Sequence, residues 1–339
     1  MGTTLYKNAD WIITMNEKRE KIRHGDLLIS GKEILDVGTD LEKKYEGTLK
    51  IDHVVEAEGT VILPGFVNVH HHTWQSLIRN IQATRGLKLE PWLTVMYEIY
   101  KDLNTDVARA GVYSGLGDML KTGCTTSNDL WYPHPVGVKY LVDAEIEAAA
   151  EIGIRFHPTR GFHSVPSSIV PPEVVDTKES VVEDTIRLVK KYHDRSRFSM
   201  CQVGIAPSIA QYETEDIIEA VVDLAEEYDI MVHGHLAESQ HEVEYTLKTW
   251  GCRPFEWFKR HRLLGKRFYF AHCIHLNEEE IAQMAETGTG VAHCPISNML
   301  LSSGACPVPS YLEHGLTRIG LGVDGAASSN SSNMLEEIR

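Results

Sequence analysis

GFVNVHHH, residues 65–72, is a glycine-bounded apolar run of β-branched character that ends in three histidines. A run this short reads as a buried strand rather than a helix. Alternate residues of a strand share a face, so His70 and His72 project one way and His71 the other. Two imidazoles on one face at a strand end are a beginning for a divalent-metal site. Alone, the pattern is explained equally well by surface or helix-capping histidines.

Downstream, similar runs recur at residues 124–128, 154–158, 198–206, 230–235, 268–272, 290–293 and 318–323. Between them lie amphipathic stretches at 106–121, 142–152, 178–192, 215–228, 240–250 and 278–287, several closed by a glycine that suits a left-handed helix cap. Eight strands alternating with helices predict an α/β fold, a TIM-type (β/α)8 barrel over residues 65–339, whose C-terminal strand ends form the functional face. Residues 1–64 are different: short β-rich runs separated by Gly25, Gly31, Gly38 and Gly59, too few to close a core unaided. After the eighth run only GAASSNSSNMLEEIR remains, so the eighth helix has barely begun, and a truncated chain of low solubility is expected.

Of the 339 residues, 42% are hydrophobic and 24% charged, enough for a large core. A net charge of −15 speaks against nucleic acid, and the densest basic stretch, 259–267, is interrupted by Leu263, Leu264 and Gly265. No apolar run is long enough to cross a bilayer, and residues 1–7 lack the apolar stretch of a signal peptide. The six cysteines form no CxxC pair, which fits buried free thiols in a cytoplasmic protein.

The other strand ends carry chemistry as well. The fifth ends in VHGHLAE, where His233 and His235 alternate and Glu238 follows, placed to shuttle a proton or simply to favour a helix N-terminus. The sixth ends in FAHC with His272, which alone reads as a satisfied core histidine. The eighth ends in GLGVDG with Asp324, where Asp-Gly alone is usually a turn. Their convergence on one barrel mouth favours a metal site over four coincidences.

LPGFVNVHHHTWQSLIR, CTTSNDL, GIRFHPTRG, VHGHLAES, FAHC, GVAHCPISN and GLGVDGAASSNSSNM together resemble the amidohydrolase superfamily over nearly the whole chain. The resemblance is to its branch of cytosine-, guanine- and 8-oxoguanine-type deaminases and triazine hydrolases. It implies that residues 1–64 are the N-terminal half of a small β-sandwich whose remaining strands lie beyond the eighth barrel strand. It implies a divalent metal on His70, His72, His235 and Asp324, Glu238 as the acid/base group and His272 touching the attacking water or substrate. FSMCQVGIAPS, at the fourth strand, offers no Lys, Asp or Glu to bridge a second ion, so one metal is expected, Zn2+ ahead of Fe2+. The zinc deaminase pattern of H-x-E with P-C-x-x-C is absent.

The implied activity is hydrolytic deamination of an amino-substituted heteroaromatic ring, 8-oxoguanine or guanine first. The alternatives are a triazine hydrolase that expels an alkylamine or chloride, and an inactive fragment. Substrate contacts are expected from Gln75, from Trp92 by stacking, and from Arg160 in HPTRG; the last two have structural alternatives, core packing for Trp92 and an ion pair for Arg160. The partner is a small heterocycle, with no nucleic acid and no membrane, and a homo-oligomer is expected at full length.

Overall fold

Residues 2–339 are described by a computed structural model. The strand-forming runs become Phe66–Asn68, Cys124–Trp131, Arg155–Phe162, Gly204–Pro207, Val232–Leu236, Phe268–His272, Gly290–His293 and Ile319–Leu321. They lie side by side in that order in one eight-stranded sheet, every neighbouring pair parallel. The seam between the first and last strands closes through main-chain bonds. Val69 N–H donates to the Leu321 carbonyl at 3.1 Å and Asp324 N–H to the His70 carbonyl at 3.0 Å. Just beyond, Asp324–Gly325 pairs in parallel with His71–His72. The result is a TIM-type (β/α)8 barrel, and its closure sets Asp324 beside the first-strand histidines.

The sixth and seventh strands coincide with the runs read from sequence. The second and third run further, to Trp131 and Phe162, and carry extra side chains to the rim. The fourth is shorter than expected, because residues before Gly204 turn tightly; Ser199 N–H bonds back to the Ser196 carbonyl, and only Cys201 bridges to Phe156. Helices Thr105–Lys121, Leu141–Ile152, Lys178–Tyr192, Glu215–Tyr228, Gln240–Trp250 and Glu278–Thr287 follow the strands; Leu141–Ile152 is buried on nearly all sides, and the others bury one stripe each. Gly153 ends the second of these at φ 79°, a conformation that costs glycine no Cβ clash. Helix Leu89–Tyr100 was not foreseen, although its buried Leu89, Trp92, Met96 and Tyr100 recur at helical spacing.

Residues Met1–Gly65 make a separate compact unit. Strand Thr3–Ile13 is its centre, antiparallel to Lys21–Ser30 and parallel to His53–Glu56 and Val61–Ile62, with Glu33–Gly38 at the far edge. Two small apolar clusters hold it, one on Leu5, Leu28 and Leu41, the other on Ala9, Ile12 and Ala57. All six cysteines are unpaired, four buried and two half-buried. Among the described residues no helix is long and apolar enough to cross a membrane.

Candidate metal centre

At the C-terminal ends of strands one, five, six and eight, His70, His72, His235, His272 and Asp324 gather in the barrel mouth, all buried. His70 and His72 place their Nε2 atoms 3.5 and 3.4 Å from Asp324 Oδ1, and His235 Nε2 is 3.4 Å from His72 Nε2. Donors arranged tetrahedrally around a cation at about 2.1 Å stand roughly 3.4 Å apart, so the spacing suits one divalent ion. His71 faces away, its Nδ1 accepting the His72 N–H at 2.8 Å.

The imidazoles are held in one tautomer by what lies behind them. His72 Nδ1 is 2.7 Å from the Leu130 carbonyl, and His235 Nδ1 is 2.7 Å from the Ser208 carbonyl. A carbonyl only accepts, so each Nδ1 carries the proton and each Nε2 presents a lone pair. His272 Nδ1 similarly meets the side-chain oxygen of Asn298 at 2.9 Å. His70 Nδ1 lies 2.7 Å from His233 Nε2, and its own Nε2 is a buried polar atom with no hydrogen-bond partner. Burial pushes the His70 and His72 pKa values down to about 3 and takes His235 well below its ordinary value, keeping these rings neutral as ligands require. The carboxylate of Asp324 faces the Nε2 atoms of His70, His72 and His272 at 3.5, 3.4 and 4.0 Å. An anionic oxygen, neutral imidazole nitrogens and an unpartnered lone pair are a donor set that fits a divalent metal.

Glu238 stands beside this cluster. Ala237, at φ 50°, turns the chain after the fifth strand, and Glu242 anchors the turn by accepting the N–H groups of Ala237 and Glu238 at 3.0 and 2.9 Å. The Glu238 carboxylate lies 3.4 Å from His272 Nε2 and accepts from Ser303 Oγ at 3.4 Å. Burial pushes its pKa up to about 7, where a carboxyl can both give and take a proton. Just past the fourth strand, the Ser208 carbonyl is engaged by His235 Nδ1.

A cavity of about 600 Å³, counting its open mouth, lies over the cluster. Gln75 and Trp92 both line it, and Trp92 is at the same time part of the core, so its two readings coexist. Arg160 does not line it. Its guanidinium is buried behind the third strand, bonded to Asp176 at 3.0 Å and Asp184 at 2.9 Å, so the expected contact with a ring oxygen is corrected to a structural ion pair. The strand extends past the end read from sequence, and Arg160 shares a face with Phe156 and Phe162 toward the helices; that period-two pattern was the available signal. Residues that sequence reasoning missed are Tyr97, Tyr132, His163 and Gln211, all buried and all lining the cavity. Tyr132 and His163 lie just past the extended second and third strands.

An eight-stranded barrel with a histidine–carboxylate cluster at its strand ends defines a recognisable class of hydrolase scaffold. The chain matches the amidohydrolase family over residues 61–339 and belongs to it. It is 37% identical over 287 residues to 8-oxoguanine deaminase of Pseudomonas aeruginosa, covering 84% of this chain and 64% of that one. It is 31% identical over 349 residues to hydroxydechloroatrazine ethylaminohydrolase of Pseudomonas sp. strain ADP, covering 100% and 72%. In structure it resembles atrazine chlorohydrolase from Arthrobacter aurescens TC1, solved with zinc, at a TM-score of 0.90 and 26% identity, covering 97% of this chain and 74% of that one. The chain thus spans under two thirds of the first of these relatives and about three quarters of the others.

Proposed function

We propose that this protein is a hydrolytic deaminase of an amino-substituted N-heteroaromatic ring, 8-oxoguanine or guanine-like first, acting in the cytoplasm. In this reading His70, His72, His235 and Asp324 hold one divalent metal, Zn2+. The observation that carries it is the convergence of imidazole Nε2 lone pairs and the Asp324 carboxylate beside Glu238, beneath an aromatic-lined cavity. The 37% identity to a deaminase of an oxo-purine supports the ring class.

When bound, the metal supplies a Lewis acid that brings the pKa of water to about 7. The protein's own groups then divide the proton work. Asp324, beside the Nε2 atoms of His70 and His72, takes the proton of the attacking water. Glu238 delivers a proton to the ring nitrogen next to the carbon that carries the amine, which makes that carbon electrophilic; the proton held by Asp324 then passes to the amine, which leaves as ammonia, while the hydroxyl proton of the tetrahedral adduct returns to Glu238. His272, aimed by Asn298, stabilises charge as the ring carbon becomes tetrahedral. The aromatic rings of Trp92, Tyr97 and Tyr132 offer flat contacts to a planar substrate, and Gln75 an amide for its edge.

The test is release of ammonia, alkylamine or chloride from 8-oxoguanine, guanine, pterins and aminotriazines by the zinc-loaded protein and by Glu238→Gln. Ammonia release should fall about 10²–10⁴-fold in the variant, with one metal retained. Alkylamine or chloride as the product would make this a triazine hydrolase instead. Activity confined to cyclic amides, a stoichiometry of two metals, or a variant within a few-fold of wild type would overturn the reading.

A further inference from the structure

His70 differs from the other three imidazoles in what stands behind it. Two of them face main-chain carbonyls and the third a side-chain amide, but His70 Nδ1 lies 2.7 Å from Nε2 of a second imidazole, His233. Such a pair bonds only when one nitrogen carries a proton and the other a lone pair. The remaining nitrogen of His233 resolves which is which. Its Nδ1 lies 2.9 Å from the Tyr269 carbonyl, which can only accept. Neutral His233 therefore keeps its proton on Nδ1 and offers a lone pair at Nε2, so His70 donates from Nδ1. The ring of His233 has little freedom to turn, because it stacks on Tyr269 at 4.1 Å between centroids and 11° between planes.

We infer that His233 is a positioning residue that selects the Nδ1–H tautomer of His70 and aims its Nε2 lone pair at the metal. The inference rests on the metal site proposed above. It explains why a fully buried His70 Nε2 has no hydrogen-bond partner: the proton that would otherwise occupy it is committed to His233. It also explains the choice of an imidazole at this position. A carboxylate there would fix the same tautomer but add a second buried negative charge near Asp324, whereas a neutral acceptor leaves the ligand set with the charge of Asp324 alone.

The experiment measures zinc affinity of metal-stripped protein by competition with a chelator, for wild type, His233→Gln and His233→Leu, with thermal unfolding of the metal-free forms as the control for folding. Glutamine can place its amide oxygen near the imidazole Nε2 position and still accept, whereas leucine only fills space. Wild type should bind one equivalent, leucine should bind about 10–100-fold more weakly, and glutamine should recover most of the loss. If wild type binds no zinc, the metal reading itself fails and takes this inference with it. If wild type binds and the leucine variant binds equally well, or glutamine is as weak as leucine, the role of His233 alone is overturned. Should the leucine variant not fold, His233→Asn, whose amide is too short to reach His70, serves as the weak-binding arm, and wild-type affinity in it is equally fatal.

Discussion

Two glycine-to-alanine substitutions in one helix should change stability in opposite directions. Helix Thr105–Lys121 lies against the turn that follows His72, and a Cβ at Gly111 would stand 2.8 Å from Trp74 Cα and 3.0 Å from both Trp74 N and the Thr73 carbonyl oxygen. These are main-chain atoms, and Trp74 cannot retreat because it is fully buried against Trp131, 4.6 Å between ring centroids. Alanine gains about 1 kcal/mol of helix propensity over glycine. Overpacking typically costs about 1–3 kcal/mol, and the upper end applies when rigid backbone is the obstacle. Gly111→Ala should therefore lose about 2 kcal/mol. Gly117, on the same helix, meets nothing within 4 Å, so Gly117→Ala should gain about 0.5–1 kcal/mol. At roughly 2 °C per kcal/mol for a domain of this size, the two variants should melt about 6 °C apart. Differential scanning calorimetry of the metal-free proteins measures this directly. Chelator competition should show weaker metal binding by Gly111→Ala alone, since the displaced turn begins next to His72. Equal melting temperatures, or a stabilised Gly111→Ala, would refute the close-approach argument.

Arg160→Gln should cost about 3 kcal/mol in denaturant unfolding, since it strands buried Asp176, and should leave KM of the folded enzyme unchanged; a selective rise in KM would return Arg160 to the substrate. Burial would raise Asp143, but Arg187, Lys191 and Tyr192 reverse this and hold its carboxyl below the ordinary value of 3.8. Its stabilisation is thus complete above that pKa and lost as pH falls through the lowered one. Asp143→Asn should be about 1.5–3 kcal/mol less stable at neutral pH, the gap to wild type narrowing only below about pH 4; a gap independent of pH would contradict this. Gln211→Leu removes a buried amide whose oxygen has no partner, so it should raise KM up to about tenfold in steady-state assays without lowering the unfolding midpoint.

The barrel was legible because parallel strands buried on both faces leave continuous apolar runs, and because glycines punctuate the helices between them. The gathering of His70, His72, His235, His272 and Asp324 followed from a single rule, that strand C-termini share one mouth. Reading failed where the answer depended on length or on partners far away in sequence. The third strand extends four residues past the apparent end of its apolar run, and that extension puts Arg160 on the same side as Phe162, facing outward. Helix Leu89–Tyr100 had adequate periodicity but sits in a strand-to-helix connection, where a loop was the default. His233 was visible as half of an alternating pair, but its partner is 163 residues away, and no local pattern announces a bond of that span.

The seam of the barrel has a consequence for how the protein comes into being. Asn68 accepts the Val323 N–H across 255 residues of chain, and beside that bond Asp324 reaches the first-strand histidines. On the ribosome, His70 and His72 emerge early and wait, with no carboxylate beside them, until almost all of the barrel has been synthesised. A contact so distant in sequence has a large closure entropy and forms late. A divalent ion that needs donors from both ends has little to grip in an open sheet. In the site proposed above, its capture would act as a latch on the completed ring, stabilising the closed form in proportion to the logarithm of free metal. Cells poor in that ion would accumulate unlatched barrels, so the metal supply would govern the lifetime of the protein as well as its catalysis.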